Sequence, residues 1–305
     1  MPPIRMVVLG DSVTWGQGVD PADKFSTLTQ DWFQQQLNVP VTMEVLAHSG
    51  AVIQEDPTED AKPATPGEVP NGYPSITAQA RIVASPQDVR FILVDGGIND
   101  MGAAHIVNPF TALTPNMIRQ KAQECCGRME GLLADVILPT FPDAIVVVTG
   151  YWPIISEQTD PLKITALWRL FPVLGVLPHD EFASHLLKPL ADQSAAWADA
   201  SNETLQAAVD GANPPGQQRA AFAPVPWAPE HCYAAPQTWL WTIGDHDPAR
   251  DHRIVECVEV VASGRLHPSI ECPFASAFHP NPRGARAFFQ AIVGALQPLL
   301  PNLRR

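Results

Sequence analysis

Four short blocks of the sequence carry residue types suited to nucleophilic chemistry. Gly10-Asp11-Ser12-Val13 directly follows an apolar run, Met6 to Leu9, with Gly16 and Gly18 close behind. A serine just past the carboxyl end of a buried strand, next to glycines, can turn both its hydroxyl and its amide into a cleft. Gly96-Gly97-Ile98-Asn99-Asp100 likewise follows the run Phe91 to Val94. Its glycines let backbone pass close to a substrate, and Asn99 offers an uncharged amide donor for a developing oxyanion. His48-Ser49-Gly50-Ala51 comes after Met43 to Ala47, where the Gly50 amide is a further candidate donor. His279-Pro280-Asn281, with Gly284, stands at the entrance to a terminal helical pattern. A neutral imidazole with a pKa of about 6.5 is a natural base for a serine hydroxyl. Taken singly, each block reads equally well as a polar turn, an Asx turn or a surface histidine.

The elements that must position these blocks repeat in a regular order. Met6 to Leu9, Phe91 to Val94 and Ile145 to Val148 are short continuous apolar runs followed by glycine and polar residues, as expected of strands buried on both faces of a parallel sheet. Helical patterns lie between and after them: Ala22 to Leu37, Ser75 to Ala84, Pro115 to Leu138, and finally Pro282 to Leu296, stopped before Pro298. Strand, loop and helix in this order predict a doubly wound α/β sheet with its chemistry at the carboxyl ends of the strands. Two segments break the rhythm. Residues 52 to 74 are rich in proline and acids and read as a long loop over one sheet edge. Residues 151 to 278 hold an apolar stretch, a helix near Glu181 to Val209 and a part rich in tryptophan and proline, and are expected to form an insertion roofing the site.

Together the four blocks resemble the SGNH/GDSL hydrolase family, whose signature is a Gly-Asp-Ser near the amino terminus, a glycine, a Gly-x-Asn-Asp, and an Asp-x-x-His-Pro near the carboxyl terminus. Order and spacing match from Gly10 to Gly284. The resemblance implies that Ser12 is the nucleophile and His279 the general base. It implies an oxyanion hole of the Ser12 amide, the Gly50 amide and the Asn99 side chain. It also implies one three-layer α/β/α flavodoxin-like domain over residues 1 to 305, with no metal and no cofactor. The expected activity is carboxylic-ester hydrolysis through an acyl-enzyme. The same machinery would serve an acyltransferase or a carbohydrate deacetylase, and a catalytically inactive binding protein is the reading outside enzymology.

One position departs from the family pattern. The acid three residues before the histidine is replaced by Ser276, in Ser276-Ala277-Phe278-His279. In serine proteases, loss of the triad aspartate lowers turnover by about 10⁴-fold, so a working enzyme must orient His279 another way. A main-chain carbonyl at or near Ser276 is the first expectation. A carboxylate from Glu271, Asp245 or Asp247 is the second.

Composition narrows the remaining choices. With 46% hydrophobic and 17% charged residues, the 305-residue chain can bury a sizeable core. A net charge of −13 without any Lys/Arg-rich run argues against nucleic-acid partners. The first residues run straight into a strand, which leaves no room for a signal peptide and predicts a cytoplasmic protein. No 18-residue uncharged apolar run is present to span a membrane. Cys125 and Cys126 read as buried small apolar residues, while a disulfide among Cys232, Cys257 and Cys272 stays open. Asp245-His246-Asp247 with Asp251-His252 suits either a metal or a solvated loop, the loop being favoured because no His-Glu-x-x-His accompanies it. The apolar stretch Leu162 to Pro178 reads as a helix packed on the core or as a lid receiving an acyl group. With Trp152, Trp168, Trp227, Trp239 and Trp241 in the same segment, the expected partner is a small ester with an apolar or aromatic acyl group.

Overall fold

A computed structural model of the chain describes residues 3–54, 75–108, 113–170, 180–255 and 275–303. Five parallel strands form one sheet: β1 (Ile4–Leu9), β2 (Val41–Val45), β3 (Val89–Val94), β4 (Ile145–Thr149) and β5 (Ala220–Ala223). Their order is β2-β1-β3-β4-β5, the flavodoxin-like arrangement. Register is continuous across the centre, Val8 lying between Val45 and Leu93, and Val94 beside Val148. Residues 6–9, 91–94 and 146–148 are all fully buried, which explains why these strands read as unbroken apolar runs and not as alternating ones.

Helices cover both faces. The short α1 (Ser12–Trp15) opens from β1 and is followed by α2 (Phe25–Leu37), α3 (Ile76–Ile82) and the short α4 (Ile98–Met101). Next come α5 (Pro115–Gly131), α6 (Pro161–Leu170), α7 (Asp180–Ala212) and α8 (Pro282–Leu296). α2 and α8 pack together on one face of the sheet, and α3, α5 and α7 occupy the other, giving three layers. α5 buries Ile118, Ala122, Cys125, Cys126 and Met129, one stripe at helical spacing, so the two cysteines serve as small core residues. The helix expected to run on to Leu138 widens instead into a looser turn over Leu132–Ile137, just ahead of Pro139. None of the helices within the described residues is long and apolar enough to cross a membrane.

The expected insertion over 151–278 is smaller than its sequence suggested. α7 and β5 fall inside it, yet they are the last crossover helix and last strand of the sheet, β5 pairing along β4 from Ala220 to Ala223. α6 lies against α7 with Ile164 completely buried, so this part of the apolar stretch is a packed helix. Residues 171–179 fall outside the described residues, as do 55–74 of the long loop, Glu271, Cys257 and Cys272. Cys232 is a buried free thiol.

Candidate active site

β1 and β3 are the strands between which the chain order reverses, and their carboxyl ends deliver Ser12 and Asn99 to the same crevice. Ser12 begins α1, whose N-cap is Asp11: its carboxylate accepts a hydrogen bond from the Val13 amide at 2.8 Å. Gly10 sets the angle of this turn. At φ 130° it adopts a conformation open to glycine, and a Cβ there would lie 1.9 Å from Asp95 Oδ1 and 2.3 Å from Thr14 Oγ1.

His279 reaches Ser12 from the far end of the chain. Its Nε2 lies 2.7 Å from Ser12 Oγ across a separation of 267 residues. The His279 loop is stitched to segment 238–242: the Trp241 amide donates to the His279 carbonyl at 2.9 Å, and Phe278 donates to the Trp241 carbonyl at 3.1 Å. Asn281 then caps α8, its Oδ1 accepting from Arg283 and Gly284, while its Nδ2 donates to the carbonyls of Thr238 and Leu240. Pro282 supplies the first helical position, where a missing N–H costs nothing.

The donors expected for an oxyanion face the same end of the sheet. Gly50 sits in a tight turn at φ 86°, held near β1 by the His48 amide donating to the Gly10 carbonyl at 3.0 Å. Among the described residues no main-chain carbonyl accepts from the amides of Ser12 or Gly50. One Nδ2 hydrogen of Asn99 donates to the Ala51 carbonyl at 3.0 Å, which ties α4 to the Gly50 turn and leaves the second hydrogen free. Asp100 reinforces that tie, accepting from the Ile53 amide at 3.0 Å and from Arg128 at 2.7 Å.

On its other edge, among the described residues, the imidazole meets main chain and no carboxylate. Nδ1 lies 3.2 Å from the Ala277 carbonyl, one residue beyond Ser276. The Ser276 hydroxyl is committed elsewhere, donating to Asp247 Oδ2 at 2.7 Å, and Arg253 donates to the same oxygen. Asp247 and Arg253 are fully buried. Asp247 therefore joins the His279 loop through Ser276. Asp245 is turned away, capping the Thr242 amide and hydroxyl at 2.6 and 2.8 Å. His246 faces Arg250 and Asp251, and among the described residues no three His, Cys, Asp or Glu side chains converge as a metal site.

Three of the tryptophans in segment 151–278 pack on one another and on α8. Trp152 stacks on Trp227 with centroids 5.3 Å apart, Trp227 meets Trp239 edge-on at 5.1 Å, and Trp152 abuts Phe288 of α8 at 5.5 Å. These rings brace the helix that carries the histidine loop. The side chain of Trp168 lies outside the described residues.

Sequence reading missed a buried network beneath the serine. Asp95, just past β3, accepts from the Asp11 amide at 2.9 Å and from Thr14 Oγ1 at 2.7 Å. Tyr151, just past β4, donates its hydroxyl to Asp11 Oδ2 at 2.9 Å. Burial pushes the carboxyl pKa of both aspartates up. A buried Asp at the end of each of two adjacent parallel strands is the signal that could have revealed the contact.

Ser12 and His279 thus meet at the switch point of a five-stranded parallel sheet. No protein-family model matches the chain, and no curated protein matches it. Among solved structures, the chain is similar to phospholipase A1 from Streptomyces albidoflavus NA297, with 14% identity and a TM-score of 0.53 over 95% of this chain and 98% of that one. It is also similar to an extracellular lipase from Streptomyces rimosus, with 15% identity and a TM-score of 0.55 over 96% of this chain and 99% of that one. At such identity the likeness is one of fold.

Proposed function

We propose that the chain is a carboxylic-ester hydrolase working through an acyl-enzyme on Ser12. The observation that carries this reading is the 2.7 Å contact between Ser12 Oγ and His279 Nε2, made between residues at opposite ends of the sequence. In the proposed cycle His279 takes the hydroxyl proton as Ser12 attacks the ester carbonyl. The amides of Ser12 and Gly50 and the free Nδ2 hydrogen of Asn99 receive the oxyanion. His279 then protonates the leaving alkoxide, and an activated water releases the acid. The Ala277 carbonyl accepts from Nδ1–H, holding the tautomer that keeps Nε2 as acceptor. No resident metal or cofactor is needed for these steps.

The test is hydrolysis of p-nitrophenyl esters of increasing acyl length. Wild type should release p-nitrophenol with a burst, and Ser12→Ala or His279→Ala should each lose about 10⁵-fold or more in kcat, with the double variant no worse. Equal rates for wild type and Ser12→Ala would refute the reading. Product analysis with and without an added alcohol separates hydrolysis from acyl transfer.

A further inference from the structure

Two fully buried carboxyl groups meet beneath the serine turn, and the proposed acyl transfer uses neither. Asp11 precedes Ser12, Asp95 closes β3, and the two are joined by the Asp11 amide donating to Asp95 Oδ1 at 2.9 Å.

Counting donors locates a hydrogen between them. Asp11 Oδ1 accepts from the Val13 amide at 2.8 Å, and Oδ2 accepts from the Tyr151 hydroxyl at 2.9 Å. The Tyr151 oxygen itself accepts from the Ile98 amide at 3.3 Å, which leaves its single proton for Asp11. Asp95 Oδ1 has two donors, the Asp11 amide at 2.9 Å and Thr14 Oγ1 at 2.7 Å. Asp95 Oδ2 is sealed from solvent and has no donor among the described residues. A carboxyl oxygen in that position, beside a second carboxylate, is tolerable when it bears the hydrogen itself.

Among the described residues, the remaining titratable neighbours supply no positive charge. Tyr151 from the end of β4 and Cys126 from α5 face the pair, and burial pushes the pKa of each well above its ordinary range, so both stay neutral. Gln79 from α3 is uncharged and clamps Gly10, donating to its carbonyl at 3.0 Å and accepting from its amide at 2.8 Å.

We propose that Asp95 Oδ2 carries the one proton this pair retains and donates it to the Asp11 carboxylate, and that the resulting bond fixes the Gly10–Ser12 turn. Asp11 and Asp95 are then positioning residues, acting through the turn and not on the substrate. The kinetic consequence rests on Ser12 being the nucleophile, whereas the location of the proton does not.

Asparagine reproduces a protonated aspartate at one of the two positions only. Asp95→Asn keeps an oxygen for the Asp11 amide and Thr14, and puts an N–H where the hydrogen is placed. Asp11→Asn must turn its NH₂ against either the Val13 amide or the Tyr151 hydroxyl. Asp95→Ala is expected to lower kcat for ester hydrolysis by about 100-fold with little change in KM, the cost of a misplaced nucleophile. Asp95→Asn should recover most of that loss, whereas Asp11→Asn should remain as impaired as Asp11→Ala. In the infrared, wild type at neutral pH should show the carbonyl stretch of a protonated carboxyl, absent from Asp95→Asn and retained in Ser12→Ala. A wild type lacking that band, or an Asp95→Asn as slow as Asp95→Ala, overturns the proposal. If Asp95→Ala fails to fold, the infrared comparison of wild type with Asp95→Asn still decides. A wild type that shows the band but hydrolyses no ester would instead refute the preceding reading of function.

Discussion

His279 is held neutral by its surroundings. Burial, and then the positive charge of Arg253, push its pKa down to about 4, while the carbonyls of Ala277, Ser276 and Ala275 pull it the other way. A triad carboxylate would favour the protonated ring; here a buried cation disfavours it. The imidazole is thus ready to accept a proton throughout the neutral range. The acid limb of kcat/KM should fall near pH 4, not near the ordinary histidine value of about 6.5. A pH profile with p-nitrophenyl acetate checks this, and a limb between about pH 6 and 7 would contradict it. Linkage fixes the accompanying stability trend. Because the folded pKa is depressed, the unfolded chain binds the proton more readily, so this contribution to stability is complete above about pH 6.5 and declines as pH falls through the folded value. At this scale Ser12 and His279, which the fold brings within 2.7 Å, were legible because glycine-bracketed motifs mark them. The exchange of the acid at position 276 was legible as well, and so was a main-chain carbonyl near Ser276 facing Nδ1, but not the bond from Ser276 to Asp247. Ser276 joins Asp247 over 29 residues of sequence, and the Asp11 to Asp95 contact spans 84. Nothing local in a sequence encodes such contacts.

Among the elements, α8 decides whether His279 and Ser12 meet. Gly284 lies in its first turn against segment 238–242, where a Cβ would stand 2.5 Å from the Trp239 carbonyl oxygen, an atom of the backbone that cannot swing aside. Gly284→Ala should therefore push the helix start outward and lower kcat by about 10-fold or more, as expected for displacement of a catalytic group by a fraction of an ångström. Gly294 on the same helix has open space at its Cβ position. Gly294→Ala should keep full activity and stabilise the fold by about 0.5–1 kcal/mol through helix propensity. Thermal melts and kinetics on the two variants separate a local clash from a general effect of alanine. The limits of α8 were readable in advance because Asn281, Pro282 and Pro298 punctuate it. β5 was not. Ala220, Ala221 and Ala223 leave it without the β-branched residues that mark a strand, and it is identified only by its pairing with β4.

For the whole molecule, the governing quantity is charge. At −13 the chain repels anions over distances comparable to its own radius when salt is low. Raising ionic strength from about 10 mM to about 150 mM shortens the screening length from about 30 Å to about 8 Å. A negatively charged ester should gain several-fold in kcat/KM over that range, while a neutral ester of the same acyl length should not. Equal responses from both would show that the field does not reach the crevice. The global topology was legible from the order of the strand and helix patterns, and blocks at the two ends of the chain that share one site argue against two independent domains. What the motifs do not specify is which of the intervening segments build the sheet. That is why α7 and β5 read as an insertion.

The base lies downstream of all five strands, on the approach to the helix that closes one face. Under the proposed function, the hydroxyl and its amide donors emerge during synthesis long before the imidazole that would activate them. A nascent chain stalled short of α8 would then be chemically silent, and the distance along the chain between Ser12 and His279 would act as a built-in delay.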